Sequence, residues 1–331
     1  MDIKIGVQEA DQRLDKFLRK YFKQYPEIKL GDIFAWIRKG VIKVNGKKQK
    51  PEYRLQLDDQ VQISESIANL VKKPSQILIN KEQKSHNLTL KELKKQILFE
   101  DDNWIFWNKP AWVVVHPGNK HLSDLTLNDY LHAYLKLTSQ RPKSTTFTPS
   151  FGFRLDKDTS WVIVGAKNYE ALKYLNKLIR QRQTQKQYLA IVSWKLDKNL
   201  MIDEPLFRGF NKKYWRAQMF VNEQKWVKAK TQIEPIKTIK HPILGPISLV
   251  KAILHTGRMH QIRVHLASQG LPILWDMLYG NKDINQILAK KLKITRQLLH
   301  SHKYWFWDKF GKQNICIQSP IPEEFEKVMK G

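Results

Sequence analysis

The sequence predicts an α+β protein of two domains, and three observations support this. The chain has 331 residues, enough for two domains and a sizeable core. Apolar residues at helical spacing in 11–23 are followed by short alternating strands in 41–63. A polar, basic stretch then precedes a longer region of apolar strands and striped helices. We therefore expect a small domain at 1–70, a linker at 71–95 and a second domain at 96–331.

The small domain is predicted to contain two helices and a hairpin. Residues 11–23 form the first helix, and Ile33–Arg38 predicts a shorter one that Gly40 would end. Residues 41–50 read as a strand, a tight turn at Asn45-Gly46 and a basic return strand.

The charge balance indicates a polyanionic partner. Lys and Arg total 58 against 31 Asp and Glu, a formal net charge of +27. An excess of this size suits nucleic acid or an acidic membrane surface. Nucleic acid is favoured because no segment joins a basic face to a strongly apolar, membrane-inserting face.

Other features of the composition predict an intracellular protein, and we expect it in the cytoplasm. No apolar run approaches the roughly 20 residues of a membrane-spanning helix. Residues 1–15 contain no apolar signal segment. Cys316 is the single cysteine, which excludes an intramolecular disulfide and a zinc site built from several cysteines.

One acidic side chain is a candidate for catalysis. Asp156 follows Arg154 in the segment FGFRLDKDTS, directly before the apolar run 161–166 that predicts a buried strand. A carboxylate in a loop at the start of a rigid strand can be aimed at a cleft. By itself, Arg-x-Asp also fits an ordinary solvated turn, so other parts of the chain must decide.

Basic and aromatic candidates lie on both sides of Asp156 in the sequence. Lys109, between two apolar strands, suits either a phosphate contact or a cap on the turn. Lys186 and Tyr188 lie in a predicted strand, 185–194.

A basic and histidine-rich cluster occupies a predicted strand-to-helix transition. Its arginines are Arg258 and Arg263, and the histidines are His255, His260 and His265. Three histidines invite a zinc hypothesis, but a five-residue spacing does not place ligands on one helix face. No HxxxH or HExxH motif occurs, so we expect no metal site.

Several long motifs occur together in the order in which a known family has them. They are NKPAWVVVHPG, FRLDKDTS, KQYLAIV, TGRMHQIRVHLASQGLPI, WDMLYG and SPIPEEF. Through these motifs the chain from about residue 95 onward resembles the RluA-type pseudouridine synthases. The resemblance implies a mixed, mainly antiparallel sheet flanked by helices, with a cleft along one face.

The resemblance also implies roles for individual residues. Asp156 corresponds to the essential aspartate, Tyr188 to the tyrosine against the target base, and Arg263 to the basic residue that pairs with the aspartate. Arg154 corresponds to the arginine thought to occupy the space of the extruded uridine. The remaining candidate contacts to the substrate in this domain are Lys109, Lys186, Arg258 and His260.

The implied reaction converts uridine in RNA to pseudouridine. It breaks the N–C glycosidic bond, turns the uracil and rejoins it through carbon, without redox change or hydrolysis. No metal or other cofactor is therefore expected. An ionised carboxylate would act at the sugar as nucleophile or proton acceptor, and an adjacent arginine would keep it charged. An aromatic ring would hold the uracil by stacking.

The small domain carries a second resemblance. Between Lys29 and Arg54 there are eight basic residues and two acidic ones. Together with the helix pair, the segments RKG, VNGKK and LDDQV resemble an S4 RNA-binding domain. This implies a basic RNA-binding surface, with ribosomal RNA as the expected partner, and nothing in the sequence demands more than a monomer. The candidate RNA contacts on this surface are Lys39, Lys43, Lys47 and Lys48.

Several tryptophans depart from the family pattern. Trp112, Trp161 and Trp275 stand where glycine is expected, and Trp194 and Trp226 are two further candidates. Glycine is used where the backbone takes a positive φ or another segment comes close, and tryptophan suits neither purpose. One shared cause would explain them all: a coding sequence that uses UGA for glycine, translated with UGA as tryptophan.

Two hypotheses of function follow. The first is an enzyme that isomerises specific uridines, expected in large-subunit ribosomal RNA. The second is a catalytically inactive RNA-binding or ribosome assembly factor whose site tryptophan blocks. The presence of Asp156, Tyr188 and Arg263 together favours the enzyme.

Overall fold

The chain divides into two units, each with its own internal contacts. A computed structural model describes residues 1–7, 9–22, 25, 28–71, 84, 85, 87–116, 124–140, 147–211, 216–221 and 227–331. Unit 1 comprises Met1–Lys94, Pro117–Ser150 and Lys167–Glu170, and unit 2 comprises Lys95–His116, Phe151–Ala166 and Ala171–Gly331. Residues 72–83 of the predicted linker and Trp226 lie outside the described residues.

Unit 1 contains both helices that the sequence predicts near its start. Its elements are β1 (Asp2–Lys4), α1 (Leu14–Tyr21), α2 (Leu30–Lys39), β2 (Ile42–Val44), β3 (Gln60–Ile63), α3 (Glu65–Val71), α4 (Leu90–Lys94) and α5 (Leu127–Leu137). Gly40 ends α2 in the left-handed conformation, with φ of 72°, as expected of a C-cap glycine. Phe17 and Leu18 of α1 and Ile37 of α2 lie in one apolar core with β2 and β3.

The predicted hairpin of unit 1 is only partly present. The turn at Asn45-Gly46 has φ of 50° and 74°, as a tight hairpin turn requires. The basic segment after it makes a single bridge between Val44 and Lys47, so the predicted return strand is wrong. β2 instead pairs antiparallel with β3, because β3 brings the buried side chain of Val61 to the core and the lysine-rich segment cannot.

Unit 2 is built on one large sheet. Its strands are β4 (Ile97–Glu100), β5 (Trp104–Lys109), β6 (Ser150–Phe151, beside β7), β7 (Ser160–Ala166), β8 (Thr184–Ser193) and β9 (Leu200–Ile202), then β12 (Thr231–His241), β13 (Gly245–Leu254), β14 (Leu299–Asp308) and β15 (Gln313–Gln318). Between them in sequence, β10 (Leu206–Asn211) and β11 (Arg216–Val221) form a separate antiparallel pair. The helices are α6 (Tyr169–Arg180, mostly in unit 2), α7 (Gln261–Ser268), α8 (Lys282–Ile287) with a π-helical turn at Leu288–Leu292, and α9 (Glu323–Lys330).

The sheet is mixed and mainly antiparallel, which confirms the predicted architecture. Its order is β4-β5-β7-β14-β8-β13-β12-β9, with β15 on β14. The pairing of β7 with β14 is parallel, and Ser301 of β14 lies opposite both Trp161 of β7 and Tyr188 of β8. Since neighbouring strands are about 4.8 Å apart, the start of β7 lies two strand spacings from Tyr188.

Helices pack on the sheet through apolar side chains at helical spacing. Ile262 and Leu266 of α7 lie in a cluster with Ala190 of β8 and Val250 of β13. This packing places α7 over the same strands that carry Tyr188. Within the described ranges, no helix has both the length and the apolar character needed to cross a bilayer.

Three of the tryptophans that stand where glycine is expected occupy unusual backbone conformations. Trp112, Trp194 and Trp275 have φ of 75°, 77° and 61°, in the left-handed region that glycine tolerates best. These values are what a glycine-coded position would produce. Trp161 differs, because its backbone is paired within β7.

Replacing Trp194 by glycine is expected to raise the free energy of unfolding by about 1 kcal/mol. A side-chain-bearing residue at left-handed φ is strained by roughly this amount, and the Trp194 side chain, 58% exposed, loses little packing. The matched control is Trp307→Gly on the extended strand β14, 49% exposed, which should lower stability by a similar amount. Denaturant titration measures the free energy of unfolding of both variants. A loss of stability in Trp194→Gly equal to that of the control would show that the backbone at Trp194 is not strained.

Candidate active site

Asp156 lies in the loop between β6 and β7, and backbone contacts hold this loop in place. The Thr159 N–H donates to the Asp156 carbonyl oxygen at 3.1 Å, which closes a turn directly before β7. The Lys157 carbonyl oxygen accepts from the Trp112 N–H at 3.0 Å and from Lys109 Nζ at 2.9 Å. The position of the carboxylate is therefore set by a neighbouring segment as well as by its own turn.

Arg263 pairs directly with Asp156. Its Nη1 donates to Asp156 Oδ2 at 2.7 Å, across 107 positions of sequence. Arg263 comes from α7, and its side chain is only 7% exposed. The structure thus brings together the two side chains whose pairing the sequence predicts.

A second carboxylate, Asp276, holds Arg263 from the other side. Arg263 Nε donates to Asp276 Oδ2 at 2.6 Å and Nη2 donates to Oδ1 at 2.9 Å, a bidentate pair. The N–H groups of Leu278 and Tyr279 also donate to Asp276 Oδ1. The Asp276 side chain is fully buried. Sequence reasoning gave this residue no role, although it lies in the motif WDMLYG.

The three charges keep one another ionised. Burial alone would raise the pKa of Asp156, but the charge and the hydrogen bond of Arg263 outweigh it and hold this pKa below its ordinary value of 3.8. Burial is likewise outweighed at Asp276, whose pKa is lowered by the hydrogen bonds and charge of Arg263. Burial opposes the charged form of Arg263, but both carboxylates raise its pKa further. Asp156 is therefore an anion at neutral pH.

The carboxylate opens into a cleft of about 60 Å³. The predicted site residues that line it are Arg154, Asp156, Tyr188, Arg258, His260 and Arg263. Tyr188 is 5% exposed, and burial raises the pKa of its phenol, so it stays neutral. Arg154 and Arg258 are exposed at the cleft. The cleft therefore joins an anion, an aromatic ring and several cations.

Of the two roles that the sequence allowed for Lys109, the structure shows the cap on the turn and not the phosphate contact. It is fully buried, and its Nζ donates to the carbonyl oxygens of Pro110, Val113 and Lys157 at 2.8–2.9 Å. Burial lowers its pKa to about 7. With its N–H groups used inside the protein, Lys109 does not reach a phosphate, and the predicted substrate contact is wrong. It instead braces the Asp156 loop.

The other predicted lysines also lie outside the cleft lining. Lys186 Nζ is 4.1 Å from the centroid of the Phe153 ring, and burial lowers its pKa to about 8. The four lysines of unit 1 are exposed on its surface: Lys39, Lys43, Lys47 and Lys48.

The hydrogen bonds of His265 leave neither of its ring nitrogens for a metal ion. Both ring nitrogens of His265 have hydrogen-bond partners, Thr231 Oγ1 and the Glu204 carbonyl oxygen, each at 2.9 Å. In the part of the chain that the structure describes, no three His, Cys, Asp or Glu side chains cluster as metal ligands would.

Replacing Asp276 by asparagine is expected to lower the free energy of unfolding at pH 7 by about 3 kcal/mol, because Arg263 loses a buried, bidentate partner. The folded-state pKa of Asp276 is depressed, so its stabilisation is present above pH 3.8 and is lost as the pH falls below that value. The difference between the two proteins should therefore narrow in acid. Denaturant titrations at pH 7 and about pH 3 measure it.

The control for this substitution is Asp197→Asn, at an exposed pair with Lys195. An exposed pair contributes about 1 kcal/mol or less, so this variant should stay close to the wild-type protein. Equal effects of the two substitutions would show that Asp276 does not hold Arg263 as the geometry indicates.

Known proteins resemble this chain in sequence and in fold. A family model described as RNA pseudouridylate synthase matches residues 103–268. The ribosomal large subunit pseudouridine synthase C of Buchnera aphidicola subsp. Schizaphis graminum is 31% identical, over 99% of this chain and 96% of its own. The protein of the same name from Pasteurella multocida is 30% identical, over 98% of this chain and 91% of its own.

A solved structure shares the fold. Human RNA Pseudouridylate Synthase Domain Containing 4 superposes with a TM-score of 0.56 at 21% identity, covering 76% of this chain and 96% of the human one. At this identity the likeness concerns the fold alone. The family match covers half of the chain, and the curated relatives match nearly all of it. The chain belongs to the RNA pseudouridylate synthase family.

Proposed function

We propose that this protein isomerises specific uridines to pseudouridine in large-subunit ribosomal RNA. The observation that carries the proposal is the 2.7 Å pair of Asp156 and Arg263 in a cleft that also contains Tyr188. The names of the curated relatives specify the large ribosomal subunit, which supports this RNA as the substrate.

The reaction requires an anion at the sugar, and Asp156 is in the form to supply it. The N1–C1′ bond of uridine breaks and a C5–C1′ bond forms, while the C5 hydrogen leaves and N1 gains a proton. The Asp156 carboxylate acts at the sugar as nucleophile or proton acceptor, and its lowered pKa makes it available for either role. Arg263 keeps it ionised while water is excluded.

Binding requires the cleft to open. A volume of about 60 Å³ is well below the roughly 300 Å³ of a typical ligand pocket, so the exposed Arg154 and Arg258 move aside as the nucleotide enters. The uridine leaves its stack at a cost of a few kcal/mol. Arg154 fills the vacated space, and Tyr188 lies against the uracil.

We assign RNA anchoring to the N-terminal part of the chain. The domains are an S4-like RNA-binding domain at 1–70, a linker at 71–95 and a catalytic domain at 96–331. The pair α1 and α2 on a small sheet supports the first of these. Phosphate contacts from its basic surface release counterions and offset the cost of base extrusion. The contacts are Lys39, Lys43, Lys47 and Lys48, all exposed.

The protein works as a monomer in the cytoplasm and without a cofactor. Asp156, Tyr188 and Arg263 all come from one chain, which supports the monomer. A ribosomal RNA substrate supports a location in the cytoplasm. The isomerisation involves no redox change, which supports catalysis by side chains alone.

The alternative is a protein that binds ribosomal RNA without catalysis. An ionised Asp156 beside a buried arginine is costly to maintain and has no use in simple RNA binding. The enzyme is therefore the better-supported function.

Asp156→Asn is expected to abolish tritium release from ribosomal RNA transcripts that contain 5-tritiated uridine, because the amide cannot act as an anion at the sugar. RNA affinity should remain within a few-fold of wild type, since the change leaves the basic surface intact. The control is Asp197→Asn, at an exposed residue far from the cleft residues in sequence. Its tritium release should equal that of the wild-type protein. Release by Asp156→Asn at the wild-type rate would refute the mechanism.

Changing the four lysines of the basic surface to glutamine in the full-length chain is expected to weaken RNA binding and flatten its salt dependence. Each lysine that contacts a phosphate contributes about one unit to the slope of log affinity against log salt concentration. The substitutions are Lys39→Gln, Lys43→Gln, Lys47→Gln and Lys48→Gln.

A second fourfold variant provides the matched control. It removes exposed lysines of unit 2, and the substitutions are Lys282→Gln, Lys290→Gln, Lys291→Gln and Lys293→Gln. Filter binding at several salt concentrations gives both slopes. An unchanged slope in the first variant would argue against RNA anchoring by unit 1.

A further inference from the structure

Tyr279 connects several parts of the cleft wall. Its hydroxyl oxygen lies 2.9 Å from His260 Nδ1 and 2.9 Å from the backbone nitrogen of Met219. Its ring lies 5.2 Å from the guanidinium carbon of Arg263. Its own N–H is held by Asp276. The segment that fixes Arg263 therefore also fixes His260.

These hydrogen bonds favour a hydrogen on Nε2 of His260. The Met219 N–H donates to the Tyr279 oxygen, and the phenol keeps its own proton because burial raises its pKa to about 12. With the phenol as the donor to Nδ1, the hydrogen of the imidazole lies on Nε2. Nε2 also faces Asp156 Oδ1. Beside this negatively charged oxygen, an N–H on Nε2 is favoured over a lone pair.

The backbone of His260 is held in an uncommon conformation. It has φ of 53° at the start of α7, in the left-handed region that residues with side chains seldom adopt. Such positions are held at a cost and cluster at functional sites. Here the conformation directs the imidazole into the cleft that Asp156 lines.

The spacing of the two groups defines what fits between them. His260 Nε2 and Asp156 Oδ1 are 3.9 Å apart, too far for a direct hydrogen bond. An oxygen within hydrogen-bond distance of both would have to accept from Nε2–H and donate to the carboxylate. A hydroxyl does both, whereas carbonyl and phosphate oxygens only accept and the N3–H of uracil only donates.

In an RNA chain this condition selects one group of the nucleotide. The 3′ and 5′ oxygens of the ribose are esterified, so the 2′-hydroxyl is the hydroxyl that remains. It is bonded to the carbon next to C1′, close to where Asp156 acts in the proposed reaction.

We infer that His260 and Asp156 together bind the ribose 2′-hydroxyl of the target uridine, and that this contact selects RNA over DNA at that nucleotide. Tyr279 is the positioning residue that fixes the required form of His260. The inference rests on the proposed function, because it assumes a uridine extruded into this cleft.

The test compares two forms of one substrate, a fragment of large-subunit ribosomal RNA that the wild-type protein modifies. The target position carries 5-tritiated uridine or 5-tritiated 2′-deoxyuridine, and single-turnover tritium release is measured for each. The ratio of the two rate constants is compared between proteins. Any intrinsic effect of the missing hydroxyl on reactivity is common to all proteins and cancels. If the deoxy form is not turned over, dissociation constants replace the rates.

The variants separate a hydrogen bond from a structural role. His260→Leu should reduce the ribose-to-deoxyribose ratio about tenfold, the effect of one hydrogen bond. His260→Gln should retain the ratio because its amide N–H reaches a similar point, and Tyr279→Phe should reduce it while keeping the ring. The control is His255→Leu, an exposed histidine for which the ratio should equal that of the wild-type protein.

The outcomes distinguish the inference from the function on which it rests. A ratio in His260→Leu equal to that of the wild-type protein would overturn the 2′-hydroxyl contact, leaving a bound water or packing as the role of His260. Absence of tritium release by the wild-type protein from every ribosomal RNA fragment would instead overturn the proposed function.

Discussion

One buried guanidinium, that of Arg263, is shared by two carboxylates, and the active site depends on it. Asp276 holds it with two hydrogen bonds, which leaves Nη1 to donate to Asp156 at 2.7 Å. Two anions on one cation give the cluster a net charge of −1, so Asp156 keeps anionic character that a simple ion pair would neutralise. Backbone N–H groups on Asp276 make this arrangement tolerable in a buried site.

The fold supplies this cluster from distant parts of the chain. The parallel pairing of β7 with β14 and the antiparallel pairing of β14 with β8 bring the Asp156 loop beside Tyr188. The packing of α7 over β8 and β13 brings Arg263 above them. Lys109, at the end of β5, ties the Asp156 loop to that strand through the Lys157 carbonyl oxygen. The rigid sheet thus fixes the position of the Asp156 carboxylate.

Motifs in the sequence were enough to predict the mixed sheet and the meeting of Asp156 with Arg263. They did not reveal the role of Asp276, because the sequence around this aspartate carries no sign that its partner is Arg263, thirteen positions earlier. The phosphate contact predicted for Lys109 was wrong, because the sequence of a lysine between two strands is the same whether its side chain contacts a phosphate or backbone carbonyl oxygens. The prediction of a basic return strand was wrong, because the turn residues Asn45-Gly46 do not determine which strand pairs with β2. Burial and pairing are properties of the whole fold.

The central claim is that Arg263 keeps Asp156 ionised inside the cleft, and the pKa of that single carboxyl tests it most directly. Carbon-13 labelling of aspartate side chains and NMR titration would give the value, with Asp156→Asn used to assign the signal. A pKa below the ordinary 3.8 is the predicted result, because the charge of Arg263 outweighs burial. A pKa raised above 3.8 would contradict the account, since burial would then dominate over the arginine.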